Sequence, residues 1–171
     1  MGPAYPAWHY TTGQRAMQII ADGYLRPRPA ACPAAEKPIV WFTMHQVAEP
    51  SIAKAVRTSS GITRLTLRQT HEQGGGLWRF GIVPEALLGW RKLRVAAGIT
   101  RDEARKAEAM VRGYELSILS WLGSLEPMPI DSCIVQAIHV RDSLDAWEGV
   151  PDARQWREDA LTDAIRQELP R

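Results

Sequence analysis

The sequence predicts one α+β domain spanning residues 1–171, with a bent or split, mostly antiparallel sheet flanked by helices. Three observations lead there. A chain of 171 residues fits one domain and can bury a substantial core. Short apolar runs with strand character and longer runs with helical spacing both occur, but in no regular strand–helix–strand rhythm, which argues against a parallel doubly wound sheet. Neither an internal repeat nor a domain linker interrupts the pattern.

The elements follow in order. Residues 6–11 read as a strand ending in polar residues. A helix follows, with Ala16, Met17, Ile19 and Ile20 on its apolar face. Thr11 and Gln14 have capping-box spacing, and Gly23 supplies the stop. Residues 28–38 are rich in Pro and Ala and read as an extended loop. "IVWFT" (39–43) is a compact β-branched and aromatic run, hence a buried strand. Pro50 in "EPSIAKAV" marks a short helix. "ITRLTLRQ" (62–69) alternates, so Leu65 and Leu67 share one face while Arg64, Thr66 and Arg68 form a basic outer ladder on a half-exposed strand. The triple glycine at 74–76 reads as a mobile hairpin loop, followed by a strand over "LWRFGIV" and a helical turn at Pro84. Thr100 and Glu103 open the longest helix, 101–122, carried by Ala104, Ala107, Val111, Tyr114, Ile118 and Trp121. "SCIVQAIHV" (132–140) is a near-continuous apolar strand. The segment from Pro151 reads as a charged surface helix.

Composition excludes several classes. A net charge of +2 does not by itself argue for nucleic acid. No apolar run approaches the roughly 18 residues of a membrane span, and no secretory pattern opens the chain, so no membrane partner and a cytoplasmic setting are expected. Cys32 and Cys133 are isolated, there is no Cys-x-x-Cys pair, and four scattered His give no metal-ligand spacing, so no metal is expected. Two lone cysteines also suit a reducing compartment. Seven Trp is a high count; most should be core or rim packing, and one or two could form a stacking wall for a planar ligand.

Nucleotide-binding glycine patterns are absent: the triple glycine precedes a strand and so lacks the helix N-terminus that a phosphate cradle needs. A nucleophile elbow is absent too, and Cys32 has no His nearby in sequence. "HYTT" (9–12) is different, because a strand end beside a helix start is where loops carry sites. On spacing alone it reads as architecture, with Thr11 as cap, Tyr10 in the core and His9 holding one hydrogen bond. The alternative is that it presents His9 and Tyr10 to a ligand.

The pieces "HYT" (9–11), "IIADGYLRP" (19–27) and "IVWFT" (39–43) together resemble the ADP-ribosyltransferase superfamily, which also includes RNA 2′-phosphotransferases. The resemblance covers about the first 45 residues; beyond them it rests on element order. It implies a split sheet with NAD in its cleft. His9 would hydrogen-bond a ribose hydroxyl, Thr11 would contact the nicotinamide amide, and Tyr10, Trp41 or Tyr24 would stack on the nicotinamide ring. Thr43 would shape the cleft. A late acid would hold the nicotinamide ribose, and the acceptor would be a macromolecule, protein or nucleic acid. Breaking the glycosidic bond builds positive charge on that ribose, which a fixed carboxylate stabilises as it develops. Stacking and hydrogen bonds lower the entropic part of the barrier.

Glu126, in the Pro-framed loop of "SLEPMP", is the favoured acid, since a rigid loop has less entropy to lose on ordering a side chain. Asp131 and Glu49 are alternatives, and Gln136 could bind but not supply charge. Tyr10 stands where the phosphotransferase and poly-ADP-ribose branches often have Gly. A phosphotransferase site would need arginines, for which Arg26, Arg64 and Arg79 are candidates. No Glu-x-Glu or Gln-x-Glu pair precedes the last strand, which leaves the protein-arginine-modifying subclass unsupported. Two further readings follow from the same residues: a non-catalytic binding or inhibitor protein, and a phosphotransferase on this fold.

Overall fold

A computed structural model describes residues 6–28, 36–47, 53–59, 61–144 and 146–149. Its elements are β1 (Ala7–Thr12), α1 (Gly13–Asp22), β2 (Tyr24–Leu25), β3 (Val40–Thr43), β4 (Ala55–Thr58), β5 (Gly61–Arg64), α2 (Leu67–Gln73), β6 (Leu77–Ile82), β7 (Leu88–Gly89), α3 (Trp90–Ala96), α4 (Arg101–Gly113), β8 (Trp121–Ser124), β9 (Met128–Pro129), β10 (Ile134–Ile138) and β11 (Glu148–Gly149). The fold is α+β, with a mostly antiparallel seven-stranded sheet in the order β11-β10-β6-β1-β3-β8-β7. Two small sheets, β2-β9 and β4-β5, complete it. No helix among the described residues is long and apolar enough to cross a membrane.

The chain forms two compact units, with β1 and β6 each contributing to both. The first holds residues up to His9, 26–52 and 81–128. Here β3 pairs antiparallel with β1 (Trp8 opposite Thr43) and with β8 (Val40 opposite Ser124, Thr43 opposite Trp121). Ile39, Leu93 and Ala97 form a buried cluster with Leu88, Ile99 and Leu125 against it, so α3 closes over this part of the sheet. The second unit holds residues 10–25, 53–80 and 129 onward. Its buried residues include Ala16, Ile19 and Ile20 of α1, Leu77 and Phe80 of β6, and Val135, Ala137 and Ile138 of β10. Burying an aliphatic side chain of this size stabilises by about 1.5–3 kcal/mol.

The helix stop at Gly23 is as the sequence predicts. Gly23 adopts a left-handed conformation (φ 74°), and its N–H reaches the Ile19 and Ile20 carbonyls. The predicted start is corrected. Thr12, not Thr11, is the N-cap; its side chain makes no capping bond, and Thr11 is a buried strand residue. The capping instead comes from the triple glycine. Gly13 N–H donates to the Gly76 carbonyl at 3.0 Å, and Gln14 N–H to the Gly74 carbonyl at 3.1 Å. Residues 74–76 are therefore the packed turn from α2 into β6, not a mobile hairpin loop. The Gly74 and Gly76 carbonyls thus occupy the α1 N-terminus and satisfy its first two donors.

The predicted strand over 62–69 is also corrected. β5 ends at Arg64, and Leu67 begins α2. Thr66 and Gln69 form a reciprocal capping box, with bonds of 3.1 and 2.9 Å. Two satisfied end donors outweigh a weak strand alternation. The short helix predicted near Pro50 falls partly on 48–52, outside the described residues; its described end, from Ala55, is strand β4. Helix 101–122 is shorter than expected. Thr100 caps it through the Glu103 N–H, but it ends at Gly113, and Glu115 turns away at φ 59°. Trp121 then enters β8, which hydrogen-bonds to β3 and β7 on either side, and that pairing overrides the helical spacing. The turn at Pro84–Ala86 and strand β10 agree with expectation. The loop over 28–38 and the segment from Pro151 lie largely or wholly outside the described residues.

Candidate functional site

In the first unit, His9 lies on β1 half-buried, its ring 5.8 Å from that of Phe42. Its Nδ1 lies 2.8 Å from the Trp41 carbonyl oxygen. A carbonyl only accepts, so Nδ1 carries the proton, and in the neutral ring Nε2 is the acceptor nitrogen. The neighbouring strand thus fixes both ring orientation and tautomer. Alternation along β3 sends Phe42 to one face and Trp41 and Thr43 to the other.

Trp41 is 38 % exposed, the largest accessible aromatic surface on β3. It joins Trp90 and Trp121 in a cluster with ring centroids 5.4–6.4 Å apart, and the Trp90 indole N–H donates to Glu108 at 3.1 Å. Three of the seven Trp therefore make one aromatic wall, buried behind and open at Trp41. Thr43 is buried, and its hydroxyl oxygen accepts from the His45 N–H at 3.3 Å. Glu126 is exposed, in a turn fixed by its N–H donating to Ser124 Oγ and by that hydroxyl donating back to the Glu126 carbonyl. It follows the end of β8 that pairs with Val40, whereas His9 lies beside Phe42. Leu122, opposite Phe42, and Ser124, opposite Val40, are two residues apart, roughly 7 Å at 3.3 Å per residue, and the chain bends beyond Ser124.

In the second unit, Tyr10 is 6 % exposed and joins a polar cluster that sequence reasoning does not assemble. Arg79, in the middle of β6 and equally buried, donates from Nε to Gln136 Oε1 at 2.7 Å and from a terminal nitrogen to the Tyr10 hydroxyl at 3.3 Å. Its guanidinium lies 4.1 Å from the centre of the Trp147 ring, which also meets Tyr10 edge-on at 5.6 Å. Burial lowers the Arg79 pKa, and the Tyr10 hydrogen bond opposes that shift. The signal was present in "LWRFGI", where one arginine interrupts a strand apolar on both faces. Gln136, the candidate that could bind but not supply charge, accepts this bond from Arg79.

Of the three aromatic candidates for ring stacking, Tyr10 is buried, whereas Trp41 and Tyr24 (41 % exposed) present surface. The three candidate arginines lie on separate elements: Arg26 after β2, Arg64 at the end of β5 and Arg79 within β6. Asp131 is exposed in a helical turn, Ile130–Ser132; Glu49 and Cys32 lie outside the described residues. Among the described residues, no group of three or more His, Cys, Asp or Glu could hold a metal ion. Comparison with protein families, curated proteins and solved structures finds no match to the chain.

Cys133 follows Asp131, and burial, with the Asp131 charge adding to it, raises its thiol pKa to about 11 from 9.0. Its thiolate fraction at pH 8 is then roughly a hundredfold below that of an ordinary thiol. In a Cys32→Ser background, iodoacetamide should label Cys133 slowly in the folded protein and roughly a hundredfold faster in urea. Equal rates would contradict the burial effect.

Proposed function

We propose that this chain is an NAD-binding, ADP-ribosyltransferase-like enzyme that acts on a macromolecular acceptor. The observation that carries the reading is His9. Its imidazole is set by the Trp41 carbonyl, and the same unit holds the exposed Trp41 ring and the buried hydroxyl of Thr43. In this reading His9, on the Phe42 face of the sheet, engages a ribose hydroxyl, while the Trp41 ring and Thr43 lie on the opposite face and Trp41 acts on His9 through its carbonyl. Glu126 supplies the carboxylate that stabilises positive charge developing on the ribose.

The place of Glu126, in the exposed turn beyond the Val40 end of β8 while His9 lies beside Phe42, favours a second reading, a binding protein without catalysis. The two separate in one pair of measurements, calorimetric titration with NAD and chromatographic assay of released nicotinamide. The enzyme reading expects binding, nicotinamide release, at least tenfold weaker binding in His9→Ala, and loss of release with retained binding in Glu126→Gln. Binding without release supports the second reading. No binding at millimolar NAD removes both as readings of an NAD site.

A further inference from the structure

Between Glu85 and Asp102 the sequence has no acidic residue but carries Arg91, Lys92, Arg94 and Arg101. Those are four positive charges in a chain whose net charge is +2, so the rest of the chain is net negative. Three of them fall on α3, where burial sorts the residues. Trp90, Leu93 and, just past the helix, Ala97 are buried. Arg91, Lys92 and Arg94 are exposed, and among the described residues none of the three is in an ion pair. Arg94 follows Arg91 by three residues and Trp90 by four, so Arg91 and Arg94 share one side of the helix with Trp90.

Trp41 sets an aromatic surface beside this helix. Gly123, its partner across β3 and β8, has no side chain, and a Cβ there would meet Leu93 Cδ2 at 2.8 Å. The missing side chain lets α3 settle against this part of the sheet, with the Trp90 and Trp41 ring centroids 6.4 Å apart. Trp121 meets Trp41 edge-on at 5.4 Å. Two neighbours thus hold the one exposed Trp among the described residues in a fixed pose, which lowers the entropic cost of stacking on it. Glu108 of α4 is engaged by the Trp90 indole N–H.

We propose that the exposed ring of Trp41 and the basic side of α3 form a binding surface for a single-stranded nucleic acid. A base stacks on Trp41, and Arg91, Lys92 and Arg94 meet the phosphates. An aromatic platform beside a track of cations suits unpaired bases, whose ring faces are free, and tolerates any sequence. A duplex keeps those faces stacked inside. A membrane surface fits less well, because Val95 is the one large apolar side chain exposed on α3, too little to insert. An acidic peptide would use the cations and leave the Trp41 ring bare. The Trp41 side chain plays no part in the His9 reading, where only its carbonyl acts, so this surface is tested apart from NAD binding.

The test is fluorescence anisotropy of the full chain with labelled 12-nucleotide single-stranded DNA and RNA and the matching duplexes, from 50 to 200 mM KCl. Single strands should bind at least tenfold more tightly than duplexes, with a logarithmic salt slope of about −2 if three cations meet phosphates. Arg91→Gln/Lys92→Gln/Arg94→Gln should bind at least tenfold more weakly and lose most of that slope. Trp41→Ala should bind at least fivefold more weakly with the slope unchanged, because it removes stacking and no charge. Trp41→Phe keeps a ring and should lose less than Trp41→Ala. Arg105→Gln/Lys106→Gln/Arg112→Gln removes the same charge from exposed positions on α4 and should change affinity less than twofold. Far-UV circular dichroism checks that each variant folds; the α3 cations are exposed, so their variant tests the surface even where Trp41→Ala does not fold. Four results would overturn the proposal: no binding at 50 mM KCl, duplex bound as tightly as single strand, equal loss in the two triple variants, or competition by poly-L-glutamate or phosphatidylserine vesicles as strong as by unlabelled single strand.

Discussion

Gly13→Ala is expected to lose about 3–5 kcal/mol of stability, among the largest effects a single methyl group can have here. A Cβ at Gly13 would sit 2.1 Å from the Gly75 carbonyl oxygen and 2.9 Å from its carbon, both backbone atoms that no rotamer change can remove. Relief requires that α1 and the 74–76 turn separate, and separation breaks the 3.0 and 3.1 Å bonds that satisfy the first two helix donors. Each buried donor left unsatisfied costs about 1–3 kcal/mol. Gly75→Ala is the internal comparison. The nearest atom to its added Cβ is 3.9 Å away, so only the positive φ of 72° resists it. A left-handed alanine costs roughly 1–2 kcal/mol. Urea denaturation should therefore rank Gly13→Ala well below Gly75→Ala, and the reverse order would contradict this account of the α1 N-terminus.

That contact marks what the sequence could and could not reveal. Gly23, "IVWFT" and "IVQAI" are legible because their signals are local: a left-handed stop, or a compact run of β-branched and aromatic residues. The capping of α1 is not local. Thr11 and Gln14 have capping-box spacing, but the partners that win are carbonyls some sixty residues away, and no short-range rule selects them. Thr66 and Gln69 are the opposite case: their capping box was readable from spacing, and the alternation of Leu65 and Leu67 concealed it. At the candidate site, His9, Trp41 and Thr43 were named from the resemblance of "HYT" and "IVWFT", whereas the bond by which the Trp41 carbonyl sets the His9 ring comes from strand pairing that no local signal gives. Arg79 was named only as one of three arginines for a phosphotransferase site, not as the centre of a buried cluster. Its partners come from β1, β10 and the segment before β11, and sheet order alone brings them together.

Arg79 therefore yields the sharpest electrostatic test. Arg79→Met keeps most of the volume but removes the donors to Gln136 and Tyr10 and the cation over Trp147. Losing hydrogen bonds from a charged donor costs about 1.5–3 kcal/mol, and losing a desolvated cation–π contact roughly 2 more, so a total near 3–5 kcal/mol is expected. The loss should be non-additive with Trp147→Ala, because the two share one contact. Arg79→Lys separates charge from geometry. An ammonium cannot reproduce the fork that reaches Gln136 and Tyr10 while stacking on the indole. Burial would also depress its folded pKa below the unfolded value. Between those two values the unfolded chain binds more protons, so stability rises with pH. Arg79→Lys should thus be destabilised most near pH 7 and recover towards pH 10, measured against wild type at each pH, because the wild-type guanidinium stays charged throughout. A flat difference across that range would mean that the position tolerates a buried ammonium, and that the Gln136–Arg79–Tyr10–Trp147 contacts contribute shape more than charge.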